Sequence, residues 1–201
     1  MGADPCGSEN VDRRAVRTRR ALVEAVRSLL PAHAWDEVSV QRICDVADVS
    51  RSAFYAHFAG RHEVLDATFD AFGERLGVPV AGRSLDAHGT FALLPALVSH
   101  VRASRALVKR NAPARSGVAL FDRFRLAVAE AARREARRSE RFGAVPAEAI
   151  DFAVGGALAR LERWREGGFV ASEAAVLAEL DRYAGAVLGA AAPVRGRRTR
   201  P

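Results

Sequence analysis

The 201-residue chain has little of what several large protein classes require. Its two cysteines, Cys6 and Cys44, cannot build a disulfide scaffold, and no CxxC or Cys/His cluster offers zinc ligands. Long hydrophobic runs are absent. A stretch such as Phe91 to Val98, with Pro95 inside, is far too short to span a bilayer. The N-terminal MGADPCGSEN is polar and has no apolar signal segment. Nowhere do apolar and polar residues alternate at period two for long enough to propose a sheet. The five histidines (His33, His57, His62, His88, His100) form no HExxH motif, and neither paired carboxylates nor a Gly-rich phosphate loop is present. The expectation is a soluble, reduced, cytoplasmic, non-enzymatic protein with no membrane partner, no metal and no cofactor.

Arginine and alanine are abundant. Lysine and arginine total 31 against 24 acids, for a net charge of +7, yet only Lys109 is lysine. Alanine supplies about a fifth of the chain, and this pairing matches the codon bias of a GC-rich genome. Arginine content alone is therefore weak evidence for a nucleic-acid partner; its placement says more. From Arg13 to Arg61 nine arginines face five carboxylates, Glu24, Asp36, Glu37, Asp45 and Asp48. Arg195, Arg197, Arg198 and Arg200 add a basic tail.

With 49% hydrophobic and 27% charged residues, the composition is globular. Helical periodicity recurs throughout, so the expected fold is all-α with about nine helices in two regions. The first helix is expected over Val11–His33, with Leu22, Val26, Leu29 and Leu30 on one stripe. Short helices follow at Val40–Ala47 and Arg51–His57, then one from Arg61 to near Gly77. A Pro/Gly-bearing joint at Val78–Ser84 leads to helices at Leu85–Ala103, Ser104–Asn111, Gly117–Arg138, Pro146–Glu166 and Ser172–Ala190. The corresponding division is a disordered segment at 1–10, a DNA-binding domain at 11–76, a ligand-binding and dimerisation domain at 77–192 and a mobile basic tail at 193–201.

Ser39 to Phe58 reads SVQRICDVADVSRSAFYAHF: two helices too short to stand alone, joined by three residues. Ser39 and Ser50 can cap them; Ile43, Val46 and Ala47 are expected to face inward, Val49 to plug the turn, and Phe54 and Phe58 to anchor the second helix. Arg51, Ser52, Tyr55 and His57 are left facing outward, where they can donate to phosphates and base edges.

The run RTRRALVEAVRSLL (17–30), followed by WDEVSVQRICDVADVSRSAFYAHFAGRHEVL (35–65), resembles the DNA-binding domain of TetR-family bacterial transcriptional regulators. The likeness covers some fifty residues, including the YxHFxxR segment that leads into the fourth helix. It implies that residues 51–57 enter the major groove, that Tyr55 and His57 contact or position the backbone, and that Arg61 stands where the family places a phosphate-contacting lysine. Ser39 and Gln41 would meet phosphates at the start of the second helix. The full DNA-facing set is Arg17, Ser39, Gln41, Arg42, Ser50, Arg51, Ser52, Tyr55, His57 and Arg61, with the arm Arg13, Arg14, Arg17, Arg19 and Arg20 adding salt-sensitive affinity or forming a plain solvated face. Three positions depart from the family pattern: Ala34 before Trp35, Cys44 where the two motif helices cross, and Asp48 at the turn glycine. Each is permissive, since Cys is only slightly larger than Ala and Asp tolerates left-handed backbone. Cys44 reads as packing in preference to a redox sensor.

Near the C-terminus, Ile150, Val154, Ala157, Leu158, Leu161 and Trp164 fall on one helical stripe, and Val176, Leu180, Tyr183, Ala184 and Val187 on another. A single chain could pack these internally. The resemblance implies instead a homodimer whose paired helices form a four-helix bundle and set two recognition helices on a palindromic operator. It also implies a ligand cavity, for which the candidates are Phe91, Leu94, Leu97, His100, Val101, Leu107, Phe121, Phe124 and Phe152. Few buried acids and no metal cluster favour a lipophilic or aromatic effector. The expected function is a ligand-responsive transcriptional regulator, acting as a repressor. The alternatives are a helical adaptor that has lost DNA affinity, or a small all-α enzyme.

Overall fold

The computed structural model describes residues 5–78, 83–105 and 115–192, and within these the side chains of 5–12 and 115–117 are not described. The sequence expectations for Leu107, for most of the Ser104–Asn111 helix and for the basic tail lie outside the described residues. Nine α-helices, one short 3-10 turn and no strand make up the described chain, as its periodicity predicts.

The helices are α1 (Pro5–Leu29), α2 (Val40–Ala47), α3 (Arg51–Tyr55), α4 (Arg61–Leu76), α5 (Leu85–His88), α6 (Leu94–Ala103), α7 (Arg115–Arg137), α8 (Ala147–Glu166) and α9 (Glu173–Ala191). Several bounds differ from the sequence reading. α1 begins at Pro5, inside the segment expected to be disordered, and ends four residues early, where Pro31 cannot donate to a further helical turn. The expected Leu85–Ala103 helix is two helices. Gly89, at φ 68°, closes α5 in a left-handed cap, and Pro95 sits in the first turn of α6. Pro146 is the N-cap of α8 at ψ 143° and not its first helical residue.

Contacts divide the chain into two units, Met1–Ala71 with Ala106–Arg123, and Phe72–Arg105 with Phe124–Pro201. This division falls inside α4, whereas the sequence places its joint at Val78–Ser84.

In the first unit, Leu22, Val26, Leu29 and Leu30 of α1 meet Trp35, Val38, Ile43, Cys44, Phe54, Phe58, Val64 and Leu65 in one core. Phe54 and Phe58 are fully buried. In the second unit, Phe91, Leu94 and Leu97 pack with Val128 and Ala132 of α7, with Ile150, Val154, Leu158 and Leu161 of α8, and with Val176, Leu180 and Leu188 of α9. Two carboxylates hold the loops of this unit. Glu135 accepts from the amides of Ala92 (2.6 Å) and Leu93 (3.4 Å) at the start of α6. Asp86 accepts from the Ser139 hydroxyl (2.5 Å) and from the amides of Glu140 (3.3 Å) and Arg141 (3.1 Å). Those hydrogen bonds hold the Asp86 carboxyl below its ordinary pKa, the Ser139 hydroxyl contributing most. No described helix is long and apolar enough to cross a membrane.

Candidate nucleic-acid interface

Local chemistry sets the geometry of α2 and α3. Ser39 has extended backbone and its Oγ accepts from the Arg42 amide at 3.2 Å, which satisfies one of the orphan donors of α2. At the far end Asp48 adopts φ 53°, ψ 50°, the left-handed cap that the turn requires of a residue usually glycine. The Val49 amide then donates back to the Cys44 carbonyl at 3.1 Å. Ser50 caps α3, its Oγ accepting from the Ala53 amide at 3.1 Å and lying 2.9 Å from the Ser52 hydroxyl. Glu63 turns back on the Ala59 amide at 2.6 Å ahead of α4.

Burial then sorts the side chains. Ile43, Cys44, Phe54 and Phe58 point inward, and burial pushes the Cys44 thiol above its ordinary pKa, which suits inert packing. Val46, expected inward, is 49% exposed. On an eight-residue helix the inward stripe is narrow, and adjacent Ile43 and Cys44 already fill it. On α3 the exposed positions are Arg51, Ser52 and Tyr55, with Ala56 beyond its end. Tyr55 is 52% exposed and rests edge-on against Phe54, ring centres 5.3 Å apart, so its hydroxyl is held outward by a buried anchor. His57 lies two residues past the end of α3 and is half-buried, unlike the outward position expected of it.

The basic residues fall into two groups. The guanidinium groups of Arg17, Arg42 and Arg51 are exposed, with no hydrogen bond or ion pair among the described residues. Others are engaged. Arg19 lies 4.5 Å over the Phe58 ring, with Nη1 3.5 Å from the His57 carbonyl. Gln41 donates to Asp45 at 2.7 Å. Arg61, half-buried, donates through Nη1 to the carbonyls of Trp35 (3.1 Å) and Val38 (3.0 Å) and lies 5.4 Å over the Trp35 ring.

In the second unit, the stripes expected to meet a partner turn inward. Ile150, Val154, Ala157, Leu158, Leu161, Trp164, Val176, Leu180 and Ala184 are all buried within the chain itself. The apolar repeat marks the face with most to bury, and here α8 and α9 bury it against each other and α6. Of the expected interface residues, Tyr183 and Val187 instead lie on the outer side, where Phe152 joins them. Phe152, 71% exposed, and Tyr183, 54% exposed, flank a shallow apolar groove of about 100 Å³, with Gly156 and Val187 on its walls and Ala157, Leu180 and Ala184 at its floor. A Cβ at Gly155 or Gly156 would meet open space. Two exposed glycines in mid-helix, with nothing in their own chain demanding them, were the available signal.

The ligand candidates scatter. Phe91, Leu94 and Leu97 are packed core, Phe152 is on the outer face of α8, and Phe121 groups with the first unit at 44% exposure. Val101 and Phe124 pack against the core that holds Phe91, Leu94 and Leu97, and the rings of His100 and Phe124 meet, with Phe72, which was not a candidate, as a third member. The His100 ring lies 4.3 Å from Phe72 and 5.7 Å from Phe124, and its Nε2 is 3.2 Å from the Ser104 hydroxyl. Burial, reinforced by the Arg75 charge, lowers the His100 pKa to about 4, so the ring is neutral at pH 7. Among the described residues no cluster of His, Cys, Asp and Glu could hold a metal ion.

Residues 22–68 match the sequence model described as "Bacterial regulatory proteins, tetR family". None of the curated proteins matches this chain. Two solved structures share its fold. One is a TetR transcriptional regulator from Rhodococcus sp. RHA1, 17% identical, covering 85% of this chain and 94% of its own, with a TM-score of 0.57. The other is a TetR transcriptional regulator from Streptococcus agalactiae 2603V, also 17% identical, covering 88% of this chain and 98% of its own, with a TM-score of 0.58. The family match is seated on the capped α2–α3 pair, and the chain as a whole shares the fold of the two TetR transcriptional regulators.

Proposed function

We propose that the protein is a transcriptional repressor that binds a palindromic operator as a homodimer and is released by a small lipophilic or aromatic effector. The observation that carries the DNA reading is the face of α3, where Arg51, Ser52 and Tyr55 stand exposed on a helix anchored by Phe54. Arg51 suits the O6 and N7 acceptors of a guanine, and Ser52 and Tyr55 supply hydroxyls to neighbouring base edges or phosphates. Ser39, Ser50, Gln41, Arg42 and Arg17 serve phosphates, with His57 beside them; Gln41 must first release Asp45.

The homodimer rests on a face revised from the sequence reading. Phe152, Gly155, Gly156, Tyr183 and Val187 form an apolar surface with room for close helix approach, which fits a second copy of α8 and α9. The effector reading is supported by the neutral His100 between Phe72 and Phe124, an aromatic setting with one polar handle. Such an effector acts only through its differential affinity for the DNA-competent and DNA-incompetent conformations.

The test is selection of bound duplexes from a random pool at about 150 mM salt, which suppresses purely electrostatic binding, with the protein's mass measured by sedimentation. A palindromic consensus bound by a dimer supports the reading. Salt-sensitive binding without a consensus, or a monomer, overturns it.

A further inference from the structure

We infer that Arg61 is a positioning residue: its guanidinium holds the turn that leads into α2, and it affects DNA binding through the placement of α2 and not by neutralising a phosphate. The inference rests on reading α2 and α3 as the DNA-contacting motif. Its place at the start of α4 predicts a phosphate ligand. The geometry points elsewhere.

Between α1 and α2 the chain makes a 3-10 turn, Trp35–Glu37, closed by the Val38 amide donating to the Trp35 carbonyl at 3.1 Å. The Trp35 carbonyl takes that amide and has a second lone pair to offer, while no backbone amide among the described residues donates to the Asp36 or Val38 carbonyl. Arg61 Nη1 reaches all three, at 3.1 Å from the Trp35 carbonyl and 3.0 Å from that of Val38, with the Asp36 carbonyl at 3.4 Å. The guanidinium plane also covers the buried Trp35 ring at 5.4 Å. Val38 is fully buried and immediately precedes Ser39, the N-cap of α2. Arg61 thus fixes the residue from which α2 departs, across 23 positions of sequence. Nη1 of Arg61 is committed to backbone carbonyls, whereas Arg42 and Arg51 make no side-chain hydrogen bond among the described residues. Lysine could bring a charge to this site, but not the planar fork that donates and stacks together.

The test compares the full-length protein with Arg61→Lys and Arg61→Met by thermal unfolding, by hydrogen exchange at the first-turn amides of α2, and by the salt dependence of binding to a duplex recovered from the selection. Clamp loss is expected to lower Tm by about 6 °C in R61M and about 3 °C in R61K, and to speed exchange at residues 40–43. The duplex affinity should fall on the order of 10-fold in R61M, while the slope of log K against log salt stays at the parental value. Parental Tm and exchange in both variants, with a slope reduced by about 0.9 in R61M, would overturn the inference and make Arg61 a phosphate ligand. If the parent selects no consensus duplex, the DNA reading fails by itself; Tm and exchange still decide whether Arg61 is a clamp.

Discussion

Both units pair some arginines and leave others open, and they differ in where the open ones stand. In the second unit Arg83 lies 2.7 Å from Asp181, Arg133 2.6 Å from Asp151, Arg137 2.7 Å from Glu130 and Arg160 2.6 Å from Glu179. In the first unit Arg27 pairs with Glu24 and Arg123 with Asp66, but Arg17, Arg42 and Arg51 face solvent without an ion pair among the described residues. Exposed cations left together repel one another at a modest cost, whereas pairing each with a nearby acid would quench the surface potential. Arg75, Arg125, Arg138 and Arg163 of the second unit are also exposed without an ion pair among the described residues, so what sets Arg42 and Arg51 apart is their place on the α2–α3 pair. The second unit also leaves apolar surface open, beside exposed glycines on α8.

The sharpest way to break this contrast is to fill the open face. On the proposed homodimer, Gly156→Leu places a branched side chain where a partner helix would approach, and the clash would occur twice across the two-fold axis. We expect association to weaken by on the order of 100-fold, while the monomer gains helix propensity of about 0.8 kcal/mol. Sedimentation with circular dichroism reads both; a full-strength G156L dimer would discard that face.

Arg51→Ala comes next. Loss of a bidentate base contact should cost about 1–3 kcal/mol and relax preference at one symmetry-related pair of operator positions. Repeating the duplex selection with R51A checks it, and an unchanged consensus would move Arg51 to the phosphate group.

A smaller effect separates the two sets of arginines directly. Arg42→Ala and Arg17→Ala should each reduce the salt slope of DNA binding by about 0.9 per phosphate released. Arg137→Ala and Arg160→Ala should leave that slope alone, because their charges are already matched by Glu130 and Glu179. Equal slopes in all four variants would end the distinction.

The smallest expected effect is on pH dependence. His100 is depressed to about 4 from an ordinary value of 6.5. The unfolded chain therefore takes up a proton first as the pH falls, and the stability that a neutral His100 permits is present above pH 6.5 and lost progressively toward pH 4. His100→Gln should flatten this part of the Tm profile. Desolvation raises the half-buried Glu135 instead, and its own profile runs the other way, so the comparison must be with the parent under identical buffers.

Much of the first unit was legible because its determinants are local. Ser39 and Ser50 cap through amides three residues ahead, Asp48 closes α2 within its own turn, and Phe54 and Phe58 share a face by helical spacing. Val46 was misread, and the carbonyl contacts of Arg61 went unforeseen, for one reason: both depend on what the neighbouring segment offers. The interface stripes on α8 and α9 went wrong in the same way. Periodicity identifies the face most in need of burial, and cannot say whether the chain's own helices or a second copy will cover it. Phe72 was missed as a neighbour of His100 because α4, α6 and α7 bring those rings together from separate parts of the chain.

By itself the sequence determined the helices, most of their caps and the order of motif residues, because those follow from hydrogen bonds and side-chain spacing within one or two turns. Only the tertiary structure decided which apolar face is core, which arginines are already paired and which ring packs on which. Those outcomes depend on encounters such as Arg61 with Val38, Glu135 with Ala92 and Arg83 with Asp181, separated by 23, 43 and 98 positions. The residues at each end could be read, but the meeting is a property of how the helices pack.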